Sequence, residues 1–361
     1  MRVVVKVGTS SITDEGGHID EDAVGKLCAE LAKARGAGHH VLLVSSGAVA
    51  AGLPALGLSD RPRDTLTLQA LSAVGQSRLM QVYNEVLGGH GLVAGQVLVS
   101  PLDFFERSQY LHARATILRL LELGVLPVVN ENDALADAEI RFGDNDRIAA
   151  LLAHLVRADL LVLLTDTPGV YTADPRIRAD ASLIEEIQEV DRALETVAGM
   201  PGSARGSGGM ASKLAAAKIA AWSGVPTIIA ASGREAVLLD AISGAPGVGT
   251  VIQPRGQHLS ARKLWIAFAV PASGTVVVDA GARRALEERG TSLLPVGVTE
   301  VAGDFTAGDA VEVAGPDGVV FAKGLTRMAA YQVAGARGKR SEALVGLPGE
   351  VVHRDELVLV P

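Results

Sequence analysis

The sequence predicts an α/β protein: a three-layer αβα sandwich around a mostly parallel sheet, joined to a small β-rich domain at the C-terminal end. Two observations lead there. Short unbroken apolar runs at residues 3–5, 41–44, 125–129 and 160–164 alternate with longer stretches of helical periodicity, and such runs belong to strands covered on both faces. Beyond residue 258 the rhythm changes to short strand-like segments separated by Gly, Asp and Pro. The boundary is placed in the polar, aperiodic stretch 254–263, giving domains over residues 1–258 and 259–361.

Residues 3–7, three valines followed by Lys6 and Val7, form the first strand. It runs out into Gly8, Thr9 and Ser10, where a glycine lets the backbone approach a ligand, and open parallel sheets bind ligands at that edge. Residues 19–35 carry helical spacing, stopped by Gly36, Ala37 and Gly38, and residues 40–44 return as a strand to complete a βαβ unit. Ser45, Ser46, Gly47 and Ala48 follow directly, so a second small polar turn falls at the same edge as Lys6. Helices are expected over 66–87 and 110–123 with a strand near 93–99 between them. A strand over 125–129 leads into Asn130, Glu131, Asn132 and Asp133. The polar stretch after it closes on Gly143, Asp144, Asn145 and Asp146, before a helix over 147–157. The strand at 160–164 is capped by Thr165 and Asp166. Residues 200–209, rich in Gly, Ser and Pro, feed a strong helix former that starts at Met210, and strands near 226–230 and 249–252 complete the sheet. In the second domain, strands are expected at 265–270, 275–278, 310–313 and 319–322.

Composition bounds the function. A chain of 361 residues with 48% hydrophobic content can bury two cores, and no run approaches the eighteen or so apolar residues that span a bilayer. With no targeting segment ahead of the first strand, a cytoplasmic location and no membrane partner are expected. Cys28 is the single cysteine, which leaves no disulfide and no cysteine-based metal cluster, and the adjacent His39 and His40 lack metal-pair spacing. No protein-held metal is expected. A formal charge of -8 argues against general nucleic-acid affinity, although Arg337, Lys339 and Arg340 cluster.

Several motif matches fail on context. Gly206 to Ala211 spells a dinucleotide-binding pattern, but no strand precedes it; there is no Walker-type loop, and His353, Arg354 and Asp355 mimic a protein-kinase triplet with no partner motif. The glycine loop itself reads either as a surface connection or as a phosphate cradle, since N–H groups at a helix start and a first-turn lysine both attract phosphate. The acidic and amide stretch 130–146 reads either as a solvated loop or as a binding segment.

Taken together and in order, Lys6-Val7-Gly8-Thr9-Ser10, Ser45-Ser46-Gly47-Ala48, Asn130-Glu131-Asn132-Asp133, Gly143-Asp144-Asn145-Asp146 and Gly208-Gly209-Met210-Ala211-Ser212-Lys213 resemble the amino acid kinase family. Within it the likeness is to the members that phosphorylate glutamate, with a tail that resembles the PUA domain. The resemblance spans essentially the whole chain; Ser45 and Ser212 stand where many relatives carry threonine, and both keep the hydroxyl. It implies transfer of the γ-phosphoryl group of ATP to the side-chain carboxylate of L-glutamate, with Mg2+ held mainly through the nucleotide phosphates. It implies Lys6 and Lys213 as catalytic cations oriented by Asp146, and glutamate held by Ser46, Gly47, Asn130, Asp133 and Asn145. The nucleotide would be bordered by Lys6, Gly8, Thr165 and Asp166 and covered by Ser207, Gly208, Gly209, Met210, Ala211, Ser212 and Lys213. Proline as inhibitor, a homodimer or homotetramer, and handover of product to glutamyl phosphate reductase are implied in the same way. The alternatives are sibling kinases for aspartate, acetylglutamate, carbamate or UMP, and an RNA-binding accessory acting through the tail, which the net charge disfavours.

Overall fold

The computed structural model describes residues 1–100, 102–135, 144–175, 177, 178, 180–190, 194, 209–256, 259–268, 270–340 and 346–360. They fall into two compact units, Met1–His258 and Leu259–Pro361.

The first unit opens with β1 (Arg2–Val7), α1 (Glu21–Gly36) and β2 (His40–Ser45), and β1 and β2 pair in parallel. The short α2 (Ala48–Gly52) and long α3 (Thr65–Gly89) come next, followed by β3 (Ala94–Val99), α4 (Leu102–Phe105), α5 (Arg107–Glu122) and β4 (Leu126–Glu131). α6 (Asn145–Val156) and β5 (Leu160–Thr165) precede the two-residue β6 (Glu186–Ile187). α7 (Met210–Trp222), β7 (Thr227–Ala231), α8 (Val237–Ser243) and β8 (Thr250–Ile252) complete the unit. The eight strands lie in the order β3-β4-β2-β1-β5-β7-β8-β6, and every neighbouring pair is parallel except β7 with β8.

Strand alternation sets which layer each β1 side chain meets. Val3, Val5 and Val7 pack among Val24, Leu27 and Leu31 of α1 and Leu79 and Tyr83 of α3, each buried valine contributing roughly 1.5–3 kcal/mol. Lys6, between them in sequence, turns to the opposite face and reaches α6. In the register it lies across from Val44 of β2 and Leu163 of β5. Cys28 sits in the α1 layer as a small hydrophobe, its thiol pushed up to about 12 by burial.

Three boundaries differ from the sequence expectation, and each bears on the site. β4 continues through Asn130 and Glu131, and β5 through Thr165, so these polar residues are buried strand residues and not loop. α6 begins at Asn145, not at 147, because Asp144 caps it by accepting the Asp146 N–H at 2.9 Å. The acidic run therefore belongs to a helix start.

Helices α2 and α3 meet at bare backbone. A side chain at Gly75 would put its Cβ 1.8 Å from the Ala48 carbonyl oxygen and 2.5 Å from the Gly52 nitrogen. Gly75→Ala should therefore push α2 off α3 and destabilise the protein by about 3 kcal/mol, the upper end for overpacking. Because α2 directly follows Gly47, the turn at that glycine should shift with it. A melting temperature within about 1 °C of wild type would mean that the helices separate freely.

In the second unit, β9 (Gly274–Val278), β10 (Val298–Gly303), β11 (Ala310–Ala314), β12 (Val320–Thr326) and β13 (Val352–Leu359) form one sheet in the order β10-β9-β11-β12-β13. Its core gathers Val276, Val278, Leu286, Phe305, Val311 and Val313. The strand expected at 265–270 is instead the end of a helix, α9 (Ala261–Phe268). Ser260 starts it, its hydroxyl accepting the Lys263 N–H and its carbonyl the Leu264 N–H, and the helix formers Ala261 to Leu264 carry the turn into an apolar segment of high β propensity. Two further helices, α10 (Ala280–Arg289) and α11 (Ala330–Ala336), lie between strands.

Candidate active site

Because β4, β2, β1 and β5 are parallel neighbours, their carboxyl ends share one edge of the sheet. That edge carries Asn130 and Glu131 at the end of β4, Ser45 at the end of β2 with Ser46 and Gly47 after it, Gly8 after β1, and Thr165 at the end of β5 with Asp166 after it. Gly47 turns the chain at φ 99°, in the left-handed region that glycine reaches without strain, and α2 starts immediately after it.

Lys6, Asp146 and Lys213 meet below this edge. Asp146 is 0% exposed, Lys6 3% and Lys213 5%, so all three charges are out of water. Lys6 Nζ lies 2.5 Å from Asp146 Oδ1 and Lys213 Nζ lies 3.2 Å from Asp146 Oδ2. The Ser212 hydroxyl also donates to Oδ2, at 2.8 Å. Burial alone would raise the Asp146 carboxyl, but Lys6 and then Lys213 outweigh it and hold the group below the usual carboxylate range, hence ionised. Asp144 moves the other way, raised by burial and by the negative charge on Asp146. Two ammonium groups thus share one firmly ionised carboxylate, which leaves an excess of positive charge.

The start of α7 adds donors. Gly209 is its N-cap and gives no side-chain cap, so the first-turn N–H groups of Met210 and Ala211 have no intrahelical acceptor. Ser212 and Lys213 sit on that same first turn. Of the residues expected to cover the nucleotide, Gly209 to Lys213 are found together here; Ser207 and Gly208, like Gly143 and the rest of the 200–208 loop, lie outside the described residues. Thr165 and Asp166 are hydrogen-bonded to each other at the end of β5, 3.0 Å apart.

A second network, built of amides, adjoins the first through the peptide bond between Asn145 and Asp146. Asn145 Nδ2 donates to Ser45 O, Ser46 Oγ and Asn130 Oδ1 at 2.9, 3.0 and 2.9 Å. Asn130 Nδ2 in turn donates to Gln76 Oε1 at 2.9 Å. Asp133 lies within 3.4 Å of the Ser72 hydroxyl. Ser45 is seated on Tyr83, oxygen to oxygen 2.7 Å, and burial keeps that phenol protonated.

Ser72, Gln76 and Tyr83 were not singled out from the sequence. Their signal was there: spaced four and seven apart, they are polar groups on the α3 face that otherwise buries Leu79, Met80 and Leu87. Asp144 was named in the acidic run without a role; it caps α6 and so holds Asn145 and Asp146 in place.

The sequence pattern of the amino acid kinase family matches residues 1–231. The chain belongs to that family. The PUA domain pattern matches residues 274–346 of this amino acid kinase, within its second unit. Over 364 aligned positions it is 47% identical to a glutamate 5-kinase from Trichlorobacter lovleyi, covering 99% of this chain and 96% of the relative. A glutamate 5-kinase from Burkholderia multivorans is 45% identical, with 99% and 98% covered. Among solved structures, carbamate kinase from Giardia lamblia bound to AMP-PNP superposes with a TM-score of 0.52 at 19% identity, covering 70% of this chain and 98% of that one, a likeness of fold.

Proposed function

We infer that this amino acid kinase transfers the γ-phosphoryl group of ATP to the side-chain carboxylate of L-glutamate, giving glutamyl 5-phosphate and ADP, the first step of proline biosynthesis. The observation that supports it best is the cationic Lys6–Asp146–Lys213 cluster set one residue from the Asn145–Asn130–Ser46 amide network, in a chain nearly half identical to glutamate 5-kinases over its whole length.

A side-chain carboxylate, with an ordinary pKa of about 4.3, is ionised at neutral pH, so the attacking oxygen needs no base. A carboxylate oxygen forms the new bond to the γ-phosphorus while the bond from that phosphorus to the β,γ-bridging oxygen breaks and leaves with ADP. Both partners are anionic. The chain's task is to position them and offset their charge. Lys213 and the N–H groups at the start of α7 meet the transferring phosphoryl group, Lys6 meets the phosphates from the end of β1, and Asp146 holds both ammonium groups in register. Mg2+, when bound, supplies further charge neutralisation on the phosphates; among the described residues no group of three or more His, Cys, Asp or Glu is placed to hold a metal.

Ser46, Gly47, Asn130, Asp133 and Asn145 hold the glutamate, with Asp133 facing its ammonium group. Gly8, Thr165 and Asp166 border the nucleotide, and Ser207 and Gly208 complete its phosphate cover. Catalysis lies within residues 1–258. Proline competes at or near the glutamate site, the protein acts as a homodimer or homotetramer in the cytoplasm, and the labile acyl phosphate is handed to a glutamyl phosphate reductase. No helix among the described residues is long and apolar enough to cross a membrane.

Purified protein with ATP, Mg2+, hydroxylamine and a panel of acceptors tests the assignment, since hydroxylamine traps acyl phosphates as hydroxamates. Glutamate alone should yield product. Hydroxamate from aspartate or N-acetylglutamate, with none from glutamate, would move the chain to a sibling activity.

A further inference from the structure

The hydrogen bonds around Gln76 fix which way its amide points. The Glu131 backbone N–H can only donate, and it lies 2.9 Å from Asn130 Oδ1, so that atom is the oxygen. Asn130 must then present its NH2 to Gln76, whose nearer atom at 2.9 Å is Oε1. Gln76 Nε2 is thereby the far atom. It is buried and has no hydrogen-bond partner among the described residues.

The same reasoning orients Asn145. The Ser45 carbonyl and Asn130 Oδ1 can only accept, so the atom facing both is Nδ2, and Asn145 Oδ1 is left buried with no hydrogen-bond partner among the described residues. A chain of three amides therefore ends in an unsatisfied donor at Gln76 and an unsatisfied acceptor at Asn145. Buried polar groups are nearly always partnered in a working protein, so two orphans on one network mark a place that a ligand fills. A neutral donor and a neutral acceptor, two hydrogen bonds apart, complement the carboxylate and the ammonium that an α-amino acid carries on one carbon.

We propose that Gln76 determines specificity for the acceptor's head group: its Nε2–H donates to the α-carboxylate, while Asn145 Oδ1 accepts from the α-ammonium. This rests on the glutamate assignment above. It places an amide of α3, which belongs to none of the five sequence motifs, in contact with substrate. It also explains the purpose of the Asn130 side chain, which orients both contact groups.

The test compares glutamate with 4-aminobutyrate, which keeps the side-chain carboxylate and the amine but lacks the α-carboxylate. Gln76→Glu is isosteric and keeps an acceptor toward Asn130, but sets a carboxylate oxygen against the substrate's; Gln76→Met removes the polar end. Both should raise the glutamate KM by about 10- to 100-fold and leave the ATP KM within about twofold. The inhibition constant of 4-aminobutyrate should move less than about threefold. Weakening of both ligands to the same degree would reduce Gln76 to a structural support, and an unchanged glutamate KM would place it outside the site; either result overturns the proposal. Melting curves check both variants, and Gln76→Glu decides the matter if Gln76→Met does not fold. Hydroxamate formation from glutamate by the wild type tests the acceptor assignment by itself, so the two readings fail separately.

Discussion

Asparagine in place of Asp146 should remove nearly all turnover and lower stability by roughly 3–5 kcal/mol, the usual consequence of stripping one partner from a buried ion pair. Lys6 and Lys213 both reach this carboxylate and neither is more than 5% exposed, so the variant holds two ammonium groups out of water with no anion between them. Asparagine keeps the size and the helix position, so the loss is electrostatic and not steric. At about 2–4 °C per kcal/mol for a unit of this size, the melting temperature should drop by ~10 °C or more. The difference should depend on pH in one direction. Asp146 titrates below its ordinary 3.8 in the folded protein, so its contribution is fully present at neutral pH and declines as pH falls below about 3.8. Wild type and variant should therefore converge on acidification. A variant that melts with the wild type at pH 7 would show that the lysines find other partners.

Lys213→Met should reduce kcat by about 10²- to 10³-fold while leaving the glutamate KM little changed, by analogy with loss of one donor that stabilises developing negative charge. The structure sharpens this expectation. Lys213 is not a solvated charge on a mobile connection: it is buried on the first turn of α7, 3.2 Å from Asp146. Methionine preserves the unbranched stem and the helix propensity, and Asp146 keeps Lys6 at 2.5 Å. Stability should fall far less than in Asp146→Asn. That contrast tests the proposed roles, since an orienting carboxylate would support two charges and a catalytic cation would act on one group. Steady-state kinetics with both substrates varied, together with a melting curve, measure it. Turnover within about threefold of wild type would remove Lys213 from the transfer step.

Much of the core was legible in local pattern. Residues 3–7, 40–44 and 160–164 read as buried parallel strands because β-branched and aliphatic runs have no other stable place in a covered sheet, and β1, β2 and β5 lie there. The long helix at 66–87 was equally plain, and α3 spans Thr65–Gly89. What misled was the competition of short-range signals. At 265–270 an apolar, β-favouring segment reads as a strand, but the Ser260 cap five residues earlier starts a helix that runs to Phe268. At Asn130, Glu131 and Asn145 polarity suggested loop, whereas the strand and the helix each run further because their polar groups find partners inside the fold.

The sequence by itself determined the alternation of strands and helices, the change of character near residue 258, and the five polar and glycine motifs that end strands or begin helices. Those are properties of periodicity and backbone preference, which act over a few residues. Only the tertiary structure decided that Lys6 and Lys213 converge on one carboxylate from β1 and α7. It also decided that Ser72 and Gln76 turn from α3 toward the end of β4, and Tyr83 toward the end of β2. Contacts between residues 38 to 140 positions apart depend on strand order and helix packing, and no local pattern carries that information.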